Sequence, residues 1–137
     1  MTRNEAMTRV AAIDCGTNSI RLLVADGHID ESGRPHLADL TRQMRIVRLG
    51  QGVDARGYLD PAAIERTVEA TVEYQRMIEA LGATKTRFVA TSATRDASNS
   101  ADFVRQIKAV IGVEPEVVVG TEEASLSFNG AVSGLGE

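Results

Sequence analysis

The chain has one cysteine, no tryptophan and three prolines in 137 residues. The single Cys15 excludes an internal disulfide and suits a reducing compartment, so a cytoplasmic location is expected. Aromatic residues make up only 4% of the sequence, so the core must be assembled from Val, Ile, Leu and Ala. No apolar run approaches the ~18 residues of a membrane span. Residues 1–9 are polar and lack the apolar centre of a secretion signal. Positive charge is also scarce: 15 Lys and Arg stand against 19 Asp and Glu, a net charge of −4. That balance argues against bulk nucleic-acid binding and leaves room for a local anion site. His28 and His36 stand in or beside a polar connection without paired Cys or acidic spacing, so no zinc site is expected. What remains, 43% hydrophobic and 25% charged, is an ordinary composition for a soluble domain with one core.

The stretch Val10-Ala11-Ala12-Ile13-Asp14-Cys15-Gly16-Thr17-Asn18-Ser19-Ile20-Arg21-Leu22-Leu23-Val24 organises the chain. It reads as strand, tight turn, strand. Gly16 would permit a backbone geometry that a Cβ opposes and would let a ligand approach the main chain. The turn can cradle a phosphate on successive N–H groups, with Thr17, Asn18 and Ser19 adding side-chain donors. Asp14 could hold a hydrated Mg²⁺ beside it. The alternative is a hairpin with an ordinary polar tip.

Residues 1–9 are expected to be a disordered lead and residues 10–137 one α/β domain. Strands are expected over 10–14, 19–25, 41–48, 87–91 and 117–119, with a polar connection over 26–35 and a loop over 50–59. Asp60-Pro61 announces a long helix, residues 60–81, with Ile64, Val68, Val72, Ile78 and Leu81 at helical spacing and Gly82 as its stop. A loop over 91–99 leads to a second helix, capped by Asn99 or Ser100 and ended by Gly112. A third follows Gly120-Thr121, with Leu126, Phe128, Ala131 and Val132. The order is βββαβαβα, a five-stranded mixed sheet whose later strands pair in parallel through right-handed crossovers.

Open α/β sheets bind ligands at the carboxyl ends of their strands. Residues 14–19, 91–95 and 120–123 all fall at such ends. Thr91, Ser92, Thr94 and Arg95 suit phosphate oxygens, though the segment could equally be a surface loop with a solvated Arg95. Glu122 and Glu123 either favour the dipole of a helix start or place one carboxylate as a base towards water. Arg21 is either a solvated charge on a sheet face or a second cationic clamp. Cys15 reads as a small buried apolar residue.

Three words together resemble the exopolyphosphatase / guanosine pentaphosphate phosphohydrolase family of the actin-like ATPase superfamily. They are Ile13-Asp14-Cys15-Gly16-Thr17-Asn18-Ser19-Ile20-Arg21-Leu22, Ala90-Thr91-Ser92-Ala93-Thr94-Arg95-Asp96-Ala97 and Gly120-Thr121-Glu122-Glu123-Ala124. Arg48-Leu49-Gly50-Gln51-Gly52 is similar to the family's loop after the third strand. The resemblance implies an actin-like, ribonuclease H-like lobe with the same βββαβαβα core. It implies Asp14 near a catalytic Mg²⁺, Gly16, Thr17, Asn18 and Ser19 as the first phosphate loop, and Arg95 lining the phosphate cleft. Arg21 stands at a variable position that can also meet phosphate, and Glu123 would orient or activate the attacking water. Family members continue into a second lobe with another phosphate turn, which is missing here.

The expected function is therefore hydrolysis of a terminal phosphoanhydride in inorganic polyphosphate or guanosine pentaphosphate, with this chain as one lobe and inactive alone. The alternatives are a non-catalytic lobe that binds polyphosphate or alarmone, and the ATP-binding lobe of an actin-like kinase. Expected partners are the substrate, the missing C-terminal lobe and, as an open option, a second copy in a homodimer. Neither nucleic acid nor membrane is expected.

Overall fold

The computed structural model describes residues 8–118. The elements run β1 (Thr8–Cys15), β2 (Ser19–Ile29), β3 (Pro35–Ile46), α1 (Val53–Arg56), α2 (Pro61–Leu81), β4 (Lys85–Thr91), α3 (Ser92–Asp96), α4 (Ser100–Ile111) and β5 (Glu116–Val118). The strands form one mixed sheet in the order β3-β2-β1-β4-β5. β1, β2 and β3 pair antiparallel, whereas β4 joins β1, and β5 joins β4, in parallel. This is the expected five-stranded sheet.

β1 lies at the centre, and its apolar run is buried on both faces, as a strand flanked on each side requires. Ala11, Ile13 and Cys15 join Ile20, Leu22 and Val24 against Tyr74, Ile78, Phe103 and Ile107 of the two long helices. The alternate residues, Val10 and Ala12, form a second buried cluster with Leu23, Ala25 and Val89. Asp14 belongs by alternation to this second face.

α2 starts where the sequence places it. The Asp60 carboxylate accepts from the Ala62 N–H at 3.0 Å, Pro61 is the first helical residue, and Gly82 at φ 76° ends the helix. Its buried face is more polar than the hydrophobic stripe suggests. Thr67 and Thr71 are fully buried, each hydroxyl donating at 2.8 Å to the carbonyl four residues back. The Tyr74 hydroxyl donates to the Ile20 carbonyl at 2.9 Å, anchoring the helix to β2.

Several boundaries differ from the expectation. Thr8 and Arg9 lie in β1 and not in a disordered lead. The Arg9 guanidinium grips Asp26 at 2.7 and 3.0 Å and the Leu81 carbonyl at 2.7 Å, which draws the strand out to them. The polar connection shrinks to residues 30–34 because Asp30 builds a tight turn, accepting the N–H groups of Ser32 and Arg34 at 2.9 Å. The loop over 50–59 contains α1, closed at both ends by Gly52 and Gly57 with φ 76°. The loop over 91–99 contains α3. Asn99 occupies the cap position of α4, but its amide bonds the Leu59 N–H and carbonyl at 2.8 and 2.9 Å instead of capping. The expected third helix, with Glu122 and Glu123, lies outside the described residues, as do residues 1–7. No helix among the described residues is long and apolar enough to cross a membrane.

Candidate functional site

The parallel register Cys15↔Ala90 and Thr91↔Val118 brings the carboxyl ends of β1, β4 and β5 to one edge of the sheet. The turn over residues 16–19 leaves β1 there, and α3, which carries Arg95, leaves β4 there. This is the edge at which an open α/β sheet takes its ligands. Asp14, the turn and the start of α3 are thus brought together by topology. Glu123 lies outside the described residues.

Asp14 is 8% exposed and stands opposite Arg21 in the β1–β2 register. Burial pushes its carboxyl above the ordinary value, and the Arg21 charge opposes the shift. Arg21 itself is exposed. Cys15 is buried among apolar neighbours, and burial, with the Asp14 charge adding, pushes its thiol up to about 12. A thiol in that state is inert.

The turn is clamped from outside. The Gly16 N–H donates to the Ser19 carbonyl at 2.9 Å. The Val47 and Arg48 N–H groups both donate to the Asn18 carbonyl at 2.9 Å, and the Gly50 N–H donates to the Thr17 carbonyl at 2.8 Å. The carbonyls at the tip are therefore satisfied, whereas the Thr17 and Asn18 N–H groups have no partner among the described residues. Unspent N–H groups at a tip with bonded carbonyls are the polarity a phosphate needs. Gly50 makes the clamp possible, since a Cβ there would lie 2.9 Å from the Thr17 Cβ. Gly16 does not use the backbone freedom the sequence suggests: its φ is not positive, and a Cβ on it would make an ordinary 3.5 Å approach to the Ser19 carbonyl oxygen.

A cleft of about 370 Å³ opens beside the turn, lined by Thr17, Asn18, Arg48, Gly50 and Gln51. A neighbouring cleft of about 410 Å³ shares Arg48 and Gln51 and adds Ile46 and Arg66. Arg48 has φ 53°, the only positive value at a non-glycine among the described residues. The sequence reading named Arg48 only within the Arg48-Leu49-Gly50-Gln51-Gly52 word, with no role of its own, and did not name Arg66. Arg48 could have been found by its place two residues before Gly50, but Arg66 reaches the neighbouring cleft only through the packing of α2. Arg95 is exposed on the last turn of α3, 3.6 Å from the Asp96 carboxylate. The Thr91 hydroxyl at the end of β4 is buried and without a partner among the described residues.

No group of three or more His, Cys, Asp or Glu among the described residues is arranged to hold a metal. Asp14 offers one carboxylate next to a turn with phosphate donors. That donor set fits a cation that keeps its waters and takes phosphate oxygens, as Mg²⁺ does, and does not fit an all-protein cage.

Residues 28–137 match the model of the Ppx/GppA phosphatase family. The chain is 51% identical over 136 residues to exopolyphosphatase 2 of Mycobacterium tuberculosis, covering 96% of this chain and 42% of that protein. It superposes on the crystal structure of an exopolyphosphatase-like protein with TM-score 0.76 at 44% identity, over 88% of this chain and 35% of that one. The crystal structure of the Aquifex aeolicus Ppx/GppA family member gives TM-score 0.75 at 32% identity, over 86% of this chain and 37% of that one. The chain thus spans well under half the length of these relatives.

Proposed function

The chain belongs to the Ppx/GppA phosphatase family, and from that premise we propose that it is one wall of a cleft that hydrolyses terminal phosphoanhydrides. The substrates we assign are inorganic polyphosphate or guanosine pentaphosphate, in the cytoplasm. The observation that carries the reading is the turn over residues 16–19. Its Thr17 and Asn18 N–H groups are unspent beside the buried Asp14 carboxylate. The first relatives share the family and an exopolyphosphatase name, which supports the substrate class.

In this mechanism the turn and the Thr17, Asn18 and Ser19 side chains hold the terminal phosphate by its oxygens. Arg21 of β2 and Arg95 of α3, which follows β4, balance its charge. Asp14 would hold Mg²⁺, which when bound supplies positive charge to the oxygens of the bond that breaks. Glu123, assigned from the Gly120-Thr121-Glu122-Glu123-Ala124 word, orients a water in line with the terminal phosphorus and accepts its proton. The water oxygen bonds to phosphorus, the anhydride P–O bond breaks, and orthophosphate leaves a chain shorter by one unit. The second wall belongs to the remainder of a family-length protein.

The test is release of orthophosphate from polyphosphate and from guanosine pentaphosphate by this chain joined to that remainder. Turnover is expected on at least one substrate, with Glu123→Gln lowering it by about 10²–10⁴ and Glu122→Gln by much less. A protein that releases orthophosphate from neither substrate overturns the reading. If Glu122→Gln is the damaging change, the base is the neighbouring residue.

A further inference from the structure

The two clefts beside the turn over residues 16–19 share Arg48 and Gln51, and no carboxylate among the described residues lines either. Arg48 is exposed and lines both clefts. Its backbone is held in the left-handed region, φ 53°, where glycine or asparagine would sit at lower cost. The strain is fixed by two N–H bonds, from Val47 and Arg48, to the Asn18 carbonyl at 2.9 Å. The same bonds that shape the turn therefore set where the Arg48 side chain leaves the backbone. Arg66, from α2, donates its Nε to the Val47 carbonyl at 3.0 Å and lines the second cleft. Two guanidinium groups thus meet at one groove, one of them on a backbone in the left-handed region. Left-handed strain at a non-glycine marks functional positions.

We propose that Arg48 and Arg66 form a second anion subsite, continuous with the turn, that takes a phosphate group further along the polyphosphate chain from the one held by residues 16–19. The inference rests on the reading above and deepens it: these arginines set a preference for chains over single phosphates. Guanidinium forks suit successive phosphate oxygens, each charge-assisted bond being stronger than a neutral one. A lone orthophosphate occupies the turn and leaves the subsite unused. A linear triphosphate engages both.

Calorimetric titration of the 137-residue chain with orthophosphate and with tripolyphosphate tests this directly. The parent is expected to bind tripolyphosphate more tightly than orthophosphate. Arg48→Gly suits the left-handed backbone, so a melting temperature at or above the parent's separates folding from binding. It is expected to lose about tenfold or more in tripolyphosphate affinity with orthophosphate affinity unchanged. Arg48→Lys, which keeps a point charge without the fork, should recover part of the loss. Arg105→Ala on α4 makes the same charge change elsewhere and should leave both affinities unchanged. Equal tripolyphosphate affinity in the parent and Arg48→Gly overturns the subsite. So does an equal loss in Arg105→Ala, and so does failure of the parent to bind tripolyphosphate. Arg48-dependent binding in a family-length protein that hydrolyses nothing would sink the hydrolase reading and keep the subsite.

Discussion

At Asp14 stability and chemistry oppose each other. Its carboxyl is pushed up by burial, so the folded state holds more protons than the unfolded state above the ordinary carboxylate value. Stability therefore falls as pH rises through that window, as the buried carboxyl takes on its charge. Asp14→Asn removes the charge. Thermal melts are expected to show it more stable than the parent at pH 7, with the gap closing below the ordinary carboxylate value, where Asp14 is neutral in both states. Turnover of a family-length protein should fall by about 10² or more, as for the loss of one preorganised group. A variant less stable at neutral pH, with a gap indifferent to pH, would show that burial is not what shifts this carboxyl. Gly50 is the second sensitive residue. A Cβ there meets the Thr17 Cβ at 2.9 Å, so Gly50→Ala must displace the turn. Orthophosphate affinity is expected to fall about tenfold or more while the fold persists, since only surface loops must move. Unchanged affinity would mean that the turn does not hold phosphate.

Between elements, single polar bonds do much of the anchoring. The Tyr74 hydroxyl is buried and donates to the Ile20 carbonyl of β2, so Tyr74→Phe leaves that contact unmade at the α2–sheet interface. Urea unfolding should give a loss of about 1 kcal/mol with an unchanged slope; a neutral substitution would mean water replaces the bond. Arg9–Asp26, Arg45–Glu73 and Arg87–Glu116 join β1 to β2, β3 to α2, and β4 to β5. In each, the arginine hydrogen bond holds the carboxyl below its ordinary value. Their contribution is present above the ordinary value and is lost as pH falls through the lowered one, the opposite sense to Asp14. The elements themselves were largely legible. Apolar runs on either side of a polar tip marked β1 and β2, and Asp60-Pro61 with Gly82 bounded α2 because capping is local chemistry. β3 was read short at its start because Leu37, Ala38, Asp39 and Leu40 are exposed on an edge strand and follow no burial pattern. α1 and α3, of four and five residues, are too short to show a helical period. Thr67, Thr71 and Tyr74 escaped a hydrophobic count because their polar atoms are satisfied inside the structure. In the site, Asp14 and the turn were visible as a word. The grouping of Arg48 and Arg66 depends on how α2 packs, which spacing does not encode.

For the whole molecule, the sheet brings Asp14, the turn over residues 16–19 and the start of α3 to one edge, and an edge is open to water. The chain covers 42% of the Mycobacterium tuberculosis relative it resembles, and in the proposed reading it supplies one wall of the cleft. Hydrolysis of a phosphoanhydride gains most from donors that face the transferring group from several directions and from exclusion of bulk water. One wall can bind phosphate through the turn, but it cannot surround the phosphorus as negative charge spreads over its equatorial oxygens. Losing a single preorganised donor costs about 10²–10³ in rate, and a missing wall removes several together with the shelter from solvent. The 137-residue chain alone is therefore expected to bind tripolyphosphate yet release orthophosphate at least about 10³ more slowly than a family-length protein carrying it. Binding and turnover must be measured on the same contaminant-free sample, with Glu123→Gln as the control for any residual rate. Family-level turnover by the chain alone, abolished in that variant, would place the complete catalytic apparatus on this one lobe and remove the need for a second wall.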